Sequence, residues 1–123
     1  MPKEHVKFKV TKDLSEKILQ VIEMARNSGN VRRGTNEATK AIEKGTAQLV
    51  VIAEDVDPPE VVMHIPSLCE EKKIPFVYVP SKIELGRASG IDVPCASIAV
   101  ADAGEGKPQL KDVIKEIEKA AKG

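Results

Sequence analysis

The segment Gly34-Thr35-Asn36-Glu37-Ala38-Thr39-Lys40 places three polar side chains of complementary chemistry at the opening of an expected helix. A helix start offers unpaired amide N–H groups and the positive end of the helix dipole, which suits a phosphate. Asn36 can donate and accept at once through its amide, the pattern that a purine edge requires. Glu37 accepts only while ionised, so it needs a pair of donors, and guanine N1–H with N2–H₂ supplies them. Lys40 stands one turn further on the same face, in reach of guanine O6 and N7 or of a phosphate. A plainer alternative is open on the same residues. Thr35 or Asn36 caps the helix, Glu37 favours its positive end, and Lys40 is solvated.

Other groups bear on this segment. Arg32, Arg33, Lys40 and Lys44 cluster around it, and Lys82 and Arg87 follow later in the chain. The loops after apolar strands at 48–53 and 75–79 should lie at one end of a sheet, together with the start of the helix at 35–44. That placement would bring Lys82 beside Asn36, Glu37 and Lys40. The loop Gly90-Ile91-Asp92-Val93-Pro94-Cys95-Ala96 is more apolar than polar, and Pro94 holds Val93 extended. Ile91 and Val93 either turn inward to complete the core or form an exposed apolar rest for a nucleotide or a protein. Glu54, Asp55 and Asp57 put three carboxylates in four positions, but without a fourth ligand or a Gly-rich phosphate loop they read as a solvated loop. His5 and His64 have no nucleophile at catalytic spacing, so neither an enzyme nor a bound cofactor or metal is expected.

The elements that position these groups follow from periodicity. Val6, Phe8 and Val10 alternate as in an edge strand or an extended arm. Leu14, Ile18, Val21, Ile22 and Ala25 recur at helical spacing from Asp13 to about Ser28, with Asp13 and Glu16 as a capping box and Gly29 as a stop. Residues 30–33 form a polar link or a minimal strand. The helix from Gly34 ends at Gly45, and Gln48–Ala53 is an unbroken apolar run, the mark of a strand buried on both faces. Pro58 and Pro59 suit a helix start, with a helix running from Glu60 to about Lys73 and interrupted at Pro66. Pro75–Val79 is a second apolar strand, Ser81 caps a short helix to about Ser89, and Ala96–Ala101 is a third strand. After a turn at 104–108, Leu110, Val113, Ile114 and Ile117 mark the inner face of a last helix. Strands alternating with helices in this way predict an α/β fold, a three-layer α-β-α sandwich, in one domain spanning the 123 residues.

Composition narrows the partners. The formal net charge is zero, with 19 basic and 19 acidic residues, so a ligand gripped only through its phosphates is disfavoured. Aromatic residues amount to 2%, too few for a base-stacking platform. Cys69 and Cys95 fit no metal or redox spacing and read as buried, reduced thiols. No apolar run is long enough for a membrane span and no signal peptide is evident, so a cytoplasmic location is expected, with no membrane partner.

Several stretches together resemble the archaeal L7Ae family of large-subunit ribosomal proteins, which binds kink-turn RNA. They are Arg33–Lys40, Leu49–Pro58, Leu68–Pro75, Val79–Lys82, Leu85-Gly86 and Ala88–Ile91. The resemblance implies a mixed sheet of about four strands, and as ligand a sharply bent, two-stem RNA with a bulge and tandem sheared G·A pairs. By motif, Asn36, Glu37 and Lys40 would read the guanines, Gly34 and Thr35 would approach the backbone, and Arg33 and Lys82 would serve phosphates. Asp57 would touch the bulged nucleotide, and the loop carrying Ile91, Asp92, Val93 and Ala96 would cover the flipped-out base. Val93 stands where eukaryotic small-nuclear-particle relatives carry an arginine, and Pro94-Cys95 departs from many archaeal members. The RNAs implied are large-subunit ribosomal RNA, box C/D and H/ACA guide RNAs and ribonuclease P RNA. Guide-RNA modification proteins are implied as co-assembling partners of a protein that is monomeric when free. Two rivals are a protein–protein adaptor using loop 91–96, and a nucleotide-using enzyme, for which a Gly-rich phosphate loop is lacking.

Overall fold

A computed structural model of the chain describes residues 12–55, 62–91 and 93–122, so the expected arm at Val6–Val10 and the helix start at Pro58-Pro59 lie outside the described residues. The element order is α1 (Lys12–Ser28), β1 (Asn30–Arg33), α2 (Thr35–Lys44), β2 (Leu49–Ala53) and α3 (His64–Lys72). It continues with β3 (Phe76–Val79), α4 (Lys82–Ala88), β4 (Ser97–Asp102), a 3₁₀ turn at Gly104–Gly106 and α5 (Lys107–Lys122).

The four strands form one mixed sheet in the order β1-β4-β2-β3. β2 runs parallel to β3, while β4 is antiparallel to both β2 and β1. Every residue of β2 is buried, as its unbroken apolar run predicts. Leu49, Val51 and Ala53 face a layer built from α1, α4 and α5, whose contributors include Ile18, Ile22, Leu85, Val113 and Ile117. Val50 and Ile52 face the opposite layer of α2 and α3, with Ala38, Ile42, Ile65 and Cys69. Alternate side chains thus feed two separate apolar clusters, and the sandwich has three layers.

Two local expectations are corrected. α1 begins at Lys12, so Asp13 sits inside its first turn rather than in front of it and does not form a capping box with Glu16. Pro66 does not interrupt α3: it is the third residue of a helix that starts at His64, where the missing N–H costs nothing. Of the two readings of 30–33, the minimal strand holds: it lies at the edge of the sheet and is polar because it is mostly exposed. Among the described residues, no helix is long and apolar enough to cross a membrane.

Candidate functional site

One end of the sheet is knitted together by backbone hydrogen bonds that gather four chain segments. Gly34 N–H donates to the Ser97 carbonyl at 2.9 Å, fixing the start of α2 against the start of β4. Ala53 N–H donates to the Ala96 carbonyl at 2.9 Å, and Glu54 N–H to the Val79 carbonyl at 2.8 Å. Cys95 N–H donates to the Lys82 carbonyl at 3.0 Å, which joins the 91–96 loop to α4. The Lys82 N–H in turn donates to Asp55 Oδ1 at 2.8 Å. The opening of α2, the end of β2, the opening of α4 and the loop before β4 therefore share one rim, as expected for Lys82 and the 34–40 segment.

The start of α2 is unusual for a helix. Its N-cap is Gly34, at φ 90° and ψ 157°, and no side chain caps it. The alternative in which Thr35 or Asn36 caps the helix is therefore overturned: both lie within the first turn. Thr35 instead works inward, its hydroxyl accepting from Ser97 Oγ at 3.2 Å and its carbonyl from Thr39 Oγ1 at 2.7 Å. Ala38 N–H makes the first intrahelical bond, to the Gly34 carbonyl, leaving the amides of residues 35–37 without an intrahelical acceptor. Asn36 is exposed, and its amide takes no hydrogen bond among the described residues. Glu37 and Lys40 form an i,i+3 ion pair at 3.7 Å, with half or more of each side chain in solvent. Such an exposed pair contributes well under about 1 kcal/mol, so it orients both groups yet yields readily to a better partner.

The supporting residues are more committed. Arg33 Nε donates to the Ser89 carbonyl at 2.7 Å, tying β1 to the end of α4. Thr39 Oγ1 lies 2.9 Å from His64 Nε2, joining α2 to α3. Ser81 caps α4 as expected, accepting from Glu84 N–H at 3.3 Å. Asp55, read from sequence as a solvated loop carboxylate, is a second anchor of the α4 start through Lys82. Asp57 and Asp92 lie outside the described residues.

The 91–96 loop divides between its two readings. Ile91 is half-buried and packs against the core, whereas Val93 is 60% exposed. Pro94 is exposed, Cys95 buried and Ala96 half-buried. With Ile83, itself 50% exposed, and Arg87, this loop lines a shallow cavity of about 300 Å³, apolar with one cationic edge. The loop lies so close to α4 that a Cβ on Gly86 would stand 2.1 Å from the Val93 carbonyl oxygen.

Burial pushes the Cys69 thiol up to about 12 and raises that of Cys95, whose Sγ donates to the Ser97 carbonyl at 3.2 Å. Both are free and buried, as the sequence suggested. Neither is poised as a nucleophile, because the thiolate is the reactive form. Among the described residues, no group of three or more His, Cys, Asp or Glu side chains is placed to hold a metal ion. The anchors Ser89 and Ser97 carried no signal in the sequence: Ser89 serves Arg33 through its carbonyl, and Ser97 serves Gly34 through its carbonyl and Thr35 through its hydroxyl.

Comparison with known proteins adds two findings. The sequence profile of the ribosomal protein L7Ae/L30e/S12e/Gadd45 family matches residues 16–109. Among solved structures, the Giardia lamblia 15.5kD RNA binding protein is similar at a TM-score of 0.90 and 31% identity, over 98% of this chain and 99% of that one.

Proposed function

The chain belongs to the ribosomal protein L7Ae/L30e/S12e/Gadd45 family, and from that premise we propose that it is an RNA-binding protein that recognises kink-turns through the rim just described. The observation that carries this reading is the glycine-capped start of α2. There the polar groups of Asn36, Glu37 and Lys40 are displayed without being consumed by the helix itself. A bound kink-turn offers the guanine edges of sheared G·A pairs, which a standard duplex hides. Glu37 accepts from guanine N1–H and N2–H₂, Asn36 pairs with a purine edge, and Lys40 reaches O6/N7 or a phosphate. Gly34, which has no side chain, and Thr35 let the RNA backbone come close to the free amides. Lys82 and Arg33 serve phosphates at the flanks, and Asp57 touches the bulged nucleotide. Ile91, Asp92, Val93 and Ala96 shelter the expelled base. A zero net charge fits this division of labour: base edges supply specificity while few phosphates are neutralised.

The protein does no chemistry of its own and needs no cofactor. Its RNAs are large-subunit ribosomal RNA, box C/D and H/ACA guide RNAs and ribonuclease P RNA, on which it nucleates ribonucleoprotein assembly in the cytoplasm, joined by guide-RNA modification proteins. Val93 in place of an arginine supports the archaeal branch of the family.

The test is a mobility-shift titration with a kink-turn RNA and with a copy whose sheared G·A pairs are converted to Watson–Crick pairs. The expected result is tight binding to the first and loss of binding to the second. Equal binding to both overturns the reading. Glu37→Ala should weaken kink-turn binding by at least tenfold, the scale of one lost bidentate base contact of about 1–3 kcal/mol. Glu70→Ala, on the exposed surface of α3, should leave it unchanged.

A further inference from the structure

Ser97, the first residue of β4, is wholly buried. β4 lies between β1 and β2, and Ser97 pairs with Ile52 of β2, so it stands at the end of an inner strand. It grips the opening of α2 twice. Its carbonyl accepts from the Gly34 N–H at 2.9 Å, and its hydroxyl donates to Thr35 Oγ1 at 3.2 Å. The same carbonyl accepts from Cys95 Sγ at 3.2 Å, so the loop before β4 and the head of α2 meet on one peptide group.

Only one of these grips needs a serine. An alanine at this position would keep both carbonyl bonds, which belong to the main chain, and lose only the bond to Thr35. A buried hydroxyl gives up its water, and one hydrogen bond returns little beyond that loss, so stability is a weak reason for a serine here. Proton counting shows what the bond adds. Thr39 has a single hydroxyl proton, and it goes to the Thr35 carbonyl at 2.7 Å. In the 2.9 Å contact between Thr39 Oγ1 and His64 Nε2, the ring N–H is therefore the donor. Ser97 holds the hydroxyl of Thr35 from the sheet, while Thr39, itself braced by His64 of α3, holds its carbonyl. α2 has no capping side chain of its own, so these holds and the Gly34 bond fix how its first turn is rotated about the helix axis. Asn36 and Glu37 follow, each about 100° further round. A rotation of about 10° shifts a side-chain tip about 6 Å from the axis by about 1 Å, enough to spoil a two-point hydrogen bond.

We infer that Ser97 is a positioning residue for guanine recognition: its hydroxyl, through Thr35, sets the rotation of the first turn of α2 and so the aim of Glu37 at its base. Shut off from solvent, Ser97 touches no RNA and adds no contact to it. This role rests on the kink-turn reading, because the aim of Glu37 matters only if Glu37 reads a base. Part of the specificity then originates in an inner strand of the sheet, behind the surface that displays it.

The experiment compares affinity for a kink-turn RNA with affinity for the same RNA carrying 1-methylguanine at both sheared-pair guanines. The methyl group removes the N1–H donor, which takes no part in a sheared pair, and so reports on the aim of Glu37. The proteins are the wild type, Ser97→Ala, Thr35→Val and the double variant. The wild type should bind the methylated RNA about tenfold more weakly. In Ser97→Ala that ratio should fall to about threefold or less, with an unchanged log–log salt slope because no phosphate contact is lost. Each ratio is taken on one protein sample, so any loss of folded molecules cancels. Thr35→Val should lower the ratio as far, and the double variant no further, since both changes remove the same bond. A full tenfold ratio in Ser97→Ala would overturn the role. Additive drops in the double variant would do the same, as would a wild-type protein that requires the G·A pairs yet ignores the methyl group. Indifference of the wild-type protein to the G·A pairs would instead remove the parent reading, so the two failures are distinguishable.

Discussion

Gly34 combines two properties that no other residue type offers together at the head of α2. Its φ of 90° with ψ of 157° lies in a region closed to side chains, while a Cβ built there would meet nothing within 4 Å. The demand for glycine is thus one of backbone conformation, and the space in front of it stands open for a ligand. Gly34→Ala should lower stability by about 1–3 kcal/mol in urea unfolding, the cost of holding a non-glycine residue in that region. Asn36→Ala gives the contrasting result. Its amide makes no intramolecular bond among the described residues, so stability should stay within about 0.5 kcal/mol, while kink-turn binding in the shift assay collapses. If both variants lost stability equally, Asn36 would be a structural residue after all.

At the scale of elements, the loop before β4 and helix α4 act as one unit. Cys95 N–H on the Lys82 carbonyl, Lys82 N–H on Asp55 and the close pass of Val93 over Gly86 hold them together. Gly86→Ala would drive a methyl group into the Val93 carbonyl and push the loop away from the helix. The expected outcome is a loss of about 1–3 kcal/mol in unfolding experiments, with weaker RNA binding even though none of the proposed guanine-reading residues has been touched. This unit also marks the limit of what the sequence conveyed. The core strands were legible because Leu49–Ala53 and Phe76–Val79 are apolar runs with few other uses, and helix α1 because its apolar residues repeat every three to four positions. The site was legible as residue types, but its anchoring was not. Asn36 is a better capping residue than glycine by local chemistry and Thr35 an equal one, yet the Ser97 carbonyl, far along the chain, captures the Gly34 N–H and places the cap at Gly34. Likewise Asp55 gave no sign that it would serve the backbone of Lys82. Contacts of this kind depend on strand order, and sequence periodicity does not encode strand order.

The whole molecule surrounds its sheet with two apolar clusters, and burial in them has a titration consequence. Cys69 is raised to about 12 from an ordinary 9.0 by burial. Tyr78 is raised to about 12 from 10.0, first by burial and then by the charges of Cys69 and Glu54. Between pH 9 and 12 the unfolded chain releases these protons and the folded chain keeps them, so stability falls as pH rises through that window. Below pH 9 both states hold the protons and neither group contributes any pH dependence. Urea midpoints should decline from pH 9 to 11, and Cys69→Ala should flatten that decline. An equally steep decline in the variant would place the titration elsewhere. Strand order sets one more condition, on when the protein can first act. Among the described residues β1 pairs only with β4, and the amide that opens α2 is held by the first residue of β4. During synthesis α2 leaves the ribosome well before β4, the strand that fixes its head. A nascent or C-terminally shortened polypeptide would carry Asn36, Glu37 and Lys40 without the anchor that aligns them. On the proposed kink-turn reading, the display of Asn36, Glu37 and Lys40 therefore depends on β4 being in place as well as α2.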